Sequence, residues 1–162
     1  MSLLIREARP SDQEAIWSIL EPILRAGETY ALPMEWTEEQ AISYWFTPGN
    51  AVFVAVRDDE GVGTYYLHAN QRGGGAHVAN CGYATALRAQ GQGVASVMCE
   101  HSLQIASSLG FLAMQFNFVI STNRRAVDLW RRFGFEIVGT IPKAFDHPRF
   151  GLVDAFVMHR FL

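Results

Sequence analysis

The feature that most constrains this chain is an apolar strand that runs into glycines and emerges as a helix. His77 to Ala86 reads as the strand, and Gly93 to about Leu109 as the helix, with Val94, Val97, Met98, His101, Ile105 and Leu109 at helical spacing. The junction is Arg88-Ala89-Gln90-Gly91-Gln92-Gly93-Val94-Ala95. Glycine lets a backbone turn tightly and approach a ligand closely. The first amides of a helix have no internal partners, and the helix dipole adds positive potential beside them. Such a junction is either a tight turn or an anion cradle, and a diphosphate is its natural guest. Two common nucleotide loops do not match. The dinucleotide fingerprint wants a third small residue where Ser96 stands, and an acidic residue where the next strand ends in Ser121-Thr122. The P-loop wants a lysine that is absent from the junction.

Around this junction the hydrophobic period alternates between two and 3.6. Leu3 to Ala8 is a short strand, and Ser11-Asp12-Gln13-Glu14 predicts a capping box. The box opens a helix whose Ile16, Ile19, Leu20, Ile23 and Leu24 share a face, and which fades at Gly27. A second box, Thr37 to Gln40, starts a shorter helix. Ala51 to Val56, Val62 to Leu67 and His77 to Ala86 form a meander. Leu112 to Ile120 alternates, with Leu112, Met114, Phe116 and Phe118 on one side. A helix over 123–133 and two strands, 135–141 and 152–160, complete the order β-α-α-β-β-β-α-β-α-β-β. That predicts an α+β fold, a mixed and mostly antiparallel sheet covered by helices. One domain over 1–162 is expected, because the chain shows no repeat or linker.

Composition narrows the classes. At 49% hydrophobic and 18% charged the chain is no disordered segment. A net charge of −3 argues against nucleic-acid partners. No apolar run approaches a bilayer span, and Met1 to Arg6 has no basic region ahead of a long apolar stretch, so no signal peptide and a cytoplasmic protein without a membrane partner are expected. Cys81 and Cys99 match neither a disulfide framework nor a zinc pattern, so no metal is expected.

Arg88, Gly91 and Gly93 resemble the acetyl-CoA signature of the GCN5-related N-acetyltransferases. The segment Asn123-Arg124-Arg125-Ala126-Val127-Asp128-Leu129-Trp130 through Gly134-Phe135 is similar to that family's second motif. The element order fits from residue 3 to 161. The resemblance implies acetyl-CoA as cosubstrate, held where the strand before the glycine loop and the strand after its helix splay apart. The diphosphate would rest on Gln90, Gly91, Gln92, Gly93, Val94 and Ala95, with Arg88 nearby. The pantetheine arm would pair with backbone at Tyr83, Ala84 and Thr85. Asn123 would bond the arm, and Ala126, Leu129 and Trp130 would wall it. Arg124, Arg125, Arg131 and Arg132 either meet the phosphates or line an exposed helix face.

The implied reaction is direct attack of an amine on the thioester, through a tetrahedral intermediate, with a backbone amide near Tyr83 or Ala84 as oxyanion donor. Where the family often places a tyrosine acid this chain has Trp130, and indole donates no proton in that role. Tyr83 is a candidate substitute, or a packing residue. Asn80 and Asn117 either satisfy backbone at the split or flank the acetyl group as catalytic and acceptor-orienting residues. Their strands also resemble those of fungal N-acetyltransferases for proline analogues, which favours a small amino-acid-like acceptor. Glu28 and Tyr30 fall in the loop that would cover it. His68, His77 and Asp154 are further candidates, each with an ordinary solvated or edge explanation. Protein N-acetylation and a non-catalytic coenzyme A sensor are the alternatives, and the terminal strands and the family favour a homodimer.

Overall fold

Apolar alternation from Ala51 onward draws two strands together across Asp58-Asp59. Both aspartates have left-handed backbone (φ 52° and 63°), the conformation that matches a two-residue hairpin to the twist of its strands. The computed structural model describes residues 2–162. It comprises β1 (Leu4–Glu7), α1 (Gln13–Ala26), α2 (Glu38–Trp45), β2 (Ala51–Arg57), β3 (Glu60–Ala69), β4 (Val78–Thr85), α3 (Val94–Ser108), β5 (Ala113–Ile120), α4 (Arg124–Arg132), β6 (Glu136–His147) and β7 (Gly151–Phe161). This is the element order read from the sequence. The strands form one sheet, β1-β2-β3-β4-β5-β7-β6, in which, among the described residues, only β4 and β5 are parallel neighbours.

Successive residues of β3 face opposite helical layers. Thr64 accepts a hydrogen bond from the buried Trp45 indole (3.0 Å) and donates to the Phe53 carbonyl (2.8 Å), which latches α2 to one face. Tyr65 points the other way and bonds His101 Nδ1 of α3 (2.7 Å). Gly63 exists because α3 lies so close: a Cβ there would come within 2.9 Å of Met98 and Val94. Trp130 of α4 packs on Tyr83 (ring centroids 4.9 Å apart), and Tyr83 bonds Ser102 of α3, so α3 and α4 share a face.

Three local expectations are corrected. The first helix is not opened by a Ser11–Glu14 box. Pro10–Asp12 makes a 3-10 turn in which Asp12 accepts the Arg9 amide (2.6 Å) and takes both Arg6 guanidinium nitrogens (2.8 and 2.9 Å). The buried stripe of α3 is rotated, to Val94, Met98, Cys99, Ser102 and Ala106, and leaves Val97 and Leu109 exposed. Small side chains let this helix lie close on β3 and β4, and a hydrophobicity pattern ranks them too low. On β5 the strict alternation fails because the strand bulges between Phe116 and Val119, which turns Phe118 outward. The Thr37–Gln40 box forms as expected, with the Thr37 amide donating to Gln40 Oε1 (3.0 Å) and the Gln40 amide to Thr37 Oγ1 (3.3 Å).

The two hydrogen bonds from Arg6 hold the Asp12 carboxyl below its ordinary pKa. Asp12→Ala should therefore cost about 1–2 kcal/mol near neutral pH. Because the folded pKa is lowered, the contribution is complete above the unfolded carboxylate value and disappears as pH falls through the folded one. Urea unfolding of both proteins, repeated down to about pH 2, should show the gap closing.

Candidate active site

β4 and β5 stay paired for only two rungs, Val78 with Ala113 and Ala79 with Met114. Beyond them the strands diverge, and the Asn80 side-chain amide bridges the apex by donating to the Gln115 carbonyl (2.9 Å). This is the structural role weighed for Asn80. The register decides which backbone groups face the opening. The Ala86 amide donates to Val62 and the Val78 carbonyl accepts from Asn70, so the even positions of β4 are bonded to β3. The His77 carbonyl accepts from Leu112, so the odd positions face β5. Cys81, Tyr83 and Thr85 thus present their N–H and C=O groups to the split, whereas the main chain of Ala84 is committed to β3. An oxyanion donor or arm partner at Ala84 is corrected on that ground.

Side chains alternate the other way. The Tyr83 hydroxyl turns toward α3 and lies in the core against Ser102 Oγ (2.7 Å). Burial raises its pKa well above that of a free phenol. Cys81 and Cys99 lie in the same interior, and burial pushes the Cys99 thiol up to about 12. The Tyr83 phenol is therefore a packing group whose proton is committed, joined in one aromatic cluster with Phe116, Trp130 and Phe135.

At the glycine junction Gly91 and Gly93 have positive φ (74° and 81°), and Gly93 starts α3 with no side-chain cap. The orphan amides of the helix start are left open. Their surroundings are braced from behind. Arg88 does not point into the cradle: it donates to Glu60 (3.2 Å) and the Gly61 carbonyl (3.0 Å) of the β2–β3 hairpin. Gln92 donates to the Arg88 carbonyl (2.9 Å) and accepts from Arg57 (2.7 Å). The cation that comes to the loop is Arg125 of α4, whose Nη2 would lie 3.0 Å from a Cβ at Gly91. Helical spacing leaves it either there or on an exposed face, and it is exposed as well.

Asn123 caps α4 by accepting the Ala126 amide (3.3 Å), which leaves its NH2 group to donate elsewhere. Beside it, Thr122 Oγ1 is buried without a hydrogen-bond partner among the described residues. Leu129 and Trp130 are buried, and Ala126 is half-buried.

The opposite face of the split belongs to the loop after α1. Tyr30 donates its hydroxyl to the Tyr83 carbonyl (2.5 Å), and Tyr44 and Tyr66 meet oxygen to oxygen at 3.4 Å. Gly82 makes room for them, because a Cβ there would lie 2.6 Å from the Tyr66 ring. Gly27, Tyr30, Leu32, Met34, Phe145 and Asp146 line a cavity of about 330 Å³. Glu28 pairs with Arg149 (3.0 Å), tying this loop to the β6–β7 turn. The turn also carries the buried His147, whose Nδ1 accepts the Arg149 amide (3.1 Å). Neither His147 nor Arg149 was singled out from the sequence, because both fall between the two strands read at 135–141 and 152–160.

Other candidates lie apart from these groups or are otherwise engaged. Asn117, on the bulge, donates to Asn70 (2.6 Å) and accepts from Gln115 (3.0 Å) at the surface. Asp154 accepts the amide of Lys143 (3.0 Å), which has positive φ, and so clamps the bulge of β6. His68 bonds the adjacent Ala69 carbonyl, and His77 is exposed just before β4.

A parallel pair that splays beside a glycine-rich helix start suits a linear thioester carrier, and comparison with known proteins agrees. The acetyltransferase (GNAT) family model matches residues 14–135. This chain belongs to that family. A GCN5-related N-acetyltransferase from Kribbella flavida superposes with a TM-score of 0.94 at 43% identity, over 99% of this chain and 98% of that one. The L-amino acid N-acetyltransferase AaaT of Escherichia coli strain K12 is 28% identical over 162 residues, 98% of this chain and 97% of that protein. A phosphinothricin acetyltransferase from Sinorhizobium meliloti, solved with acetyl-CoA, shares the fold at TM-score 0.86 and 20% identity, over 100% of this chain and 89% of that one.

The GNAT chain is an N-acetyltransferase and uses acetyl-CoA as cosubstrate. Its residues fit that molecule in two observable ways. The glycine at 91 keeps open a space beside the Arg125 guanidinium that a side chain would fill. The Thr122 hydroxyl and the Asn123 amide offer unspent polar groups where α4 begins. Gly91→Glu would put a carboxylate beside Arg125 in place of the phosphate. Calorimetry should show coenzyme A affinity reduced more than about 100-fold, or about 2.7 kcal/mol, with folding retained. Undiminished affinity would remove the loop from the site.

Proposed function

We propose that this N-acetyltransferase acts on the amine of a small, amino-acid-like molecule. The observation that carries the reading is an open recess of about 330 Å³ between the loop after α1 and the end of β6, two segments joined by the Glu28–Arg149 pair. That volume is at the small end of ligand pockets and suits a metabolite better than a polypeptide. The Glu28–Arg149 pair ties the loop after α1 to the β6–β7 turn beside it. Arg149 supplies a planar double donor for a carboxylate, and Glu28 aims it. The likeness to AaaT supports the same class.

Acetyl-CoA would enter from the α3–α4 face. Its diphosphate would lie on the amides of 90–95 with Arg125 as counter-charge, and its arm would continue along the free edge of β4 at Tyr83 and Thr85. The Tyr83 N–H faces the split and would stabilise the oxyanion as the amine attacks. Asn80 would keep the strands apart at the apex. Trp130, fixed between Tyr83 and Phe116, would serve as wall. We also take the chain to be one domain that pairs with a second copy. The outer strand β6 is twelve residues long and exposes Val138 and Ile141, an edge that needs covering.

Thiol release from acetyl-CoA, measured against a panel of amino acids, cyclic secondary amines and short peptides, tests the reading. Turnover is expected on free amino-acid-like amines. Turnover on peptides alone would replace it with protein acetylation, and binding without any turnover with a sensor. Arg149→Ala should raise KM for carboxylate-bearing acceptors about 10-fold or more, the weight of one charge-assisted contact, and leave KM for acetyl-CoA unchanged.

A further inference from the structure

Acetyl transfer must take a proton from the attacking nitrogen and deliver one to the departing sulfur. The aromatic positions nearest the split do not do this. The Trp130 indole is no acid, and the Tyr83 hydroxyl is turned into the core against Ser102. Asp154 clamps Lys143, Glu28 is paired with Arg149, and His147 Nδ1 is bonded to the turn. One hydroxyl does reach the opening. Tyr30 comes from the acceptor-side loop and donates to the Tyr83 carbonyl, one of the groups that face the split. Its ring stands edge-on to Trp45 (centroids 6.2 Å apart), and Trp45 is fully buried and bonded to Thr64. The hydroxyl is therefore held between the acceptor cavity, which Tyr30 also lines, and the thioester path.

We propose that the Tyr30 hydroxyl relays the proton from the attacking nitrogen to the leaving sulfur. The nitrogen lone pair forms the C–N bond and the carbonyl π pair moves to oxygen. When the C=O bond re-forms, the C–S bond breaks with its electron pair on sulfur. In that step the Tyr30 O–H turns from the Tyr83 carbonyl to the sulfur, gives it its proton and receives the N–H proton of the charged nitrogen. The products are the amide, the free thiol and an unchanged phenol. No net charge is created on Tyr30, which suits a phenol whose burial strongly disfavours ionisation. While bonded to the Tyr83 carbonyl the oxygen keeps its lone pairs free, so it can accept from the incoming amine.

The inference rests on the proposed placement of the thioester at the β4 edge, and its test separates the two. In Tyr30→Phe the ring and its contact with Trp45 remain. The expected result is a kcat about 100-fold lower, the scale of a positioned acid–base group, with coenzyme A affinity within about twofold and a thermal midpoint lowered by only several degrees, the cost of the lost bond to the Tyr83 carbonyl. Single turnover of the wild-type enzyme in mixtures of H2O and D2O gives a second reading that does not depend on the variant folding. A curved dependence of rate on deuterium fraction is expected from two protons in flight. A Tyr30→Phe enzyme within threefold of the wild-type kcat, or a wild-type rate linear in or indifferent to deuterium fraction, overturns the relay but leaves acetyl transfer standing. A wild-type chain inert toward every amine overturns both.

Discussion

Two rungs of parallel pairing between β4 and β5, followed by divergence, set up everything that follows in this structure. An unpaired strand edge inside a sheet is costly, because buried N–H and C=O groups without partners forfeit roughly 1–3 kcal/mol each. Here the cost is managed group by group. Asn80 spends its side-chain amide on the Gln115 carbonyl at the apex, and Tyr30 spends its hydroxyl on the Tyr83 carbonyl further along. What stays open is a short length of edge: the Tyr83 N–H and the main-chain groups of Cys81 and Thr85 that face the split. A ligand that carries amides at intervals, as a pantetheine arm does, can complete that edge as an added strand.

The rest of the architecture keeps the split open. The β5 bulge carries the strand away from β4, and the stacked pair Phe116–Phe135 (centroids 4.3 Å apart) with Trp130 fills the wedge on the α3–α4 face. On the other face Tyr66 and Tyr44 fill it above Gly82, where any side chain would collide with the Tyr66 ring. Neither face can collapse inward to restore pairing without expelling large aromatic groups from close packing. The opening is thus a packed feature, held ready before ligand arrives.

Much of this was legible in the residues. Period changes and turn residues set out all eleven elements in order, because amphipathic stripes and glycine stops report directly on burial and on left-handed backbone. The tight turn at 90–95 was legible for the same reason: Gly91 and Gly93 stand where φ is positive. What escaped was long-range. Arg88 looked like a phosphate ligand, but its charge is drawn to Glu60, twenty-eight positions earlier. For Arg125 helical spacing leaves two places open, the phosphates or an exposed face; it is exposed on α4 and its guanidinium also overhangs Gly91. The bulge that displaces Phe118 adds one residue to a strand whose own sequence alternates without interruption, and only the register against β7 exposes it. Helix α3 misled because close approach favours serine, alanine and cysteine, which score as neither polar nor strongly apolar.

Tyrosine placement shows why local reading fails at the reaction centre in particular. Tyr83 sits on the right strand at the right place, so by sequence it is the natural proton donor. Strand geometry separates its two halves: its backbone faces the split while its side chain stands perpendicular to it and enters the core. The backbone of one residue and the side chain of another, fifty-three positions away, meet at the Tyr83 carbonyl. A strand residue cannot offer both its amide and its hydroxyl to the same point, so a site that needs both must draw them from different elements. A loop crossing above the strand can aim a side chain straight down at the edge, and Tyr30 does so from a segment that also lines the recess of about 330 Å³. On the proposed reading, covering the acceptor and presenting a hydroxyl to the thioester would be tasks of one loop, held at Trp45 on one side and at Arg149 on the other.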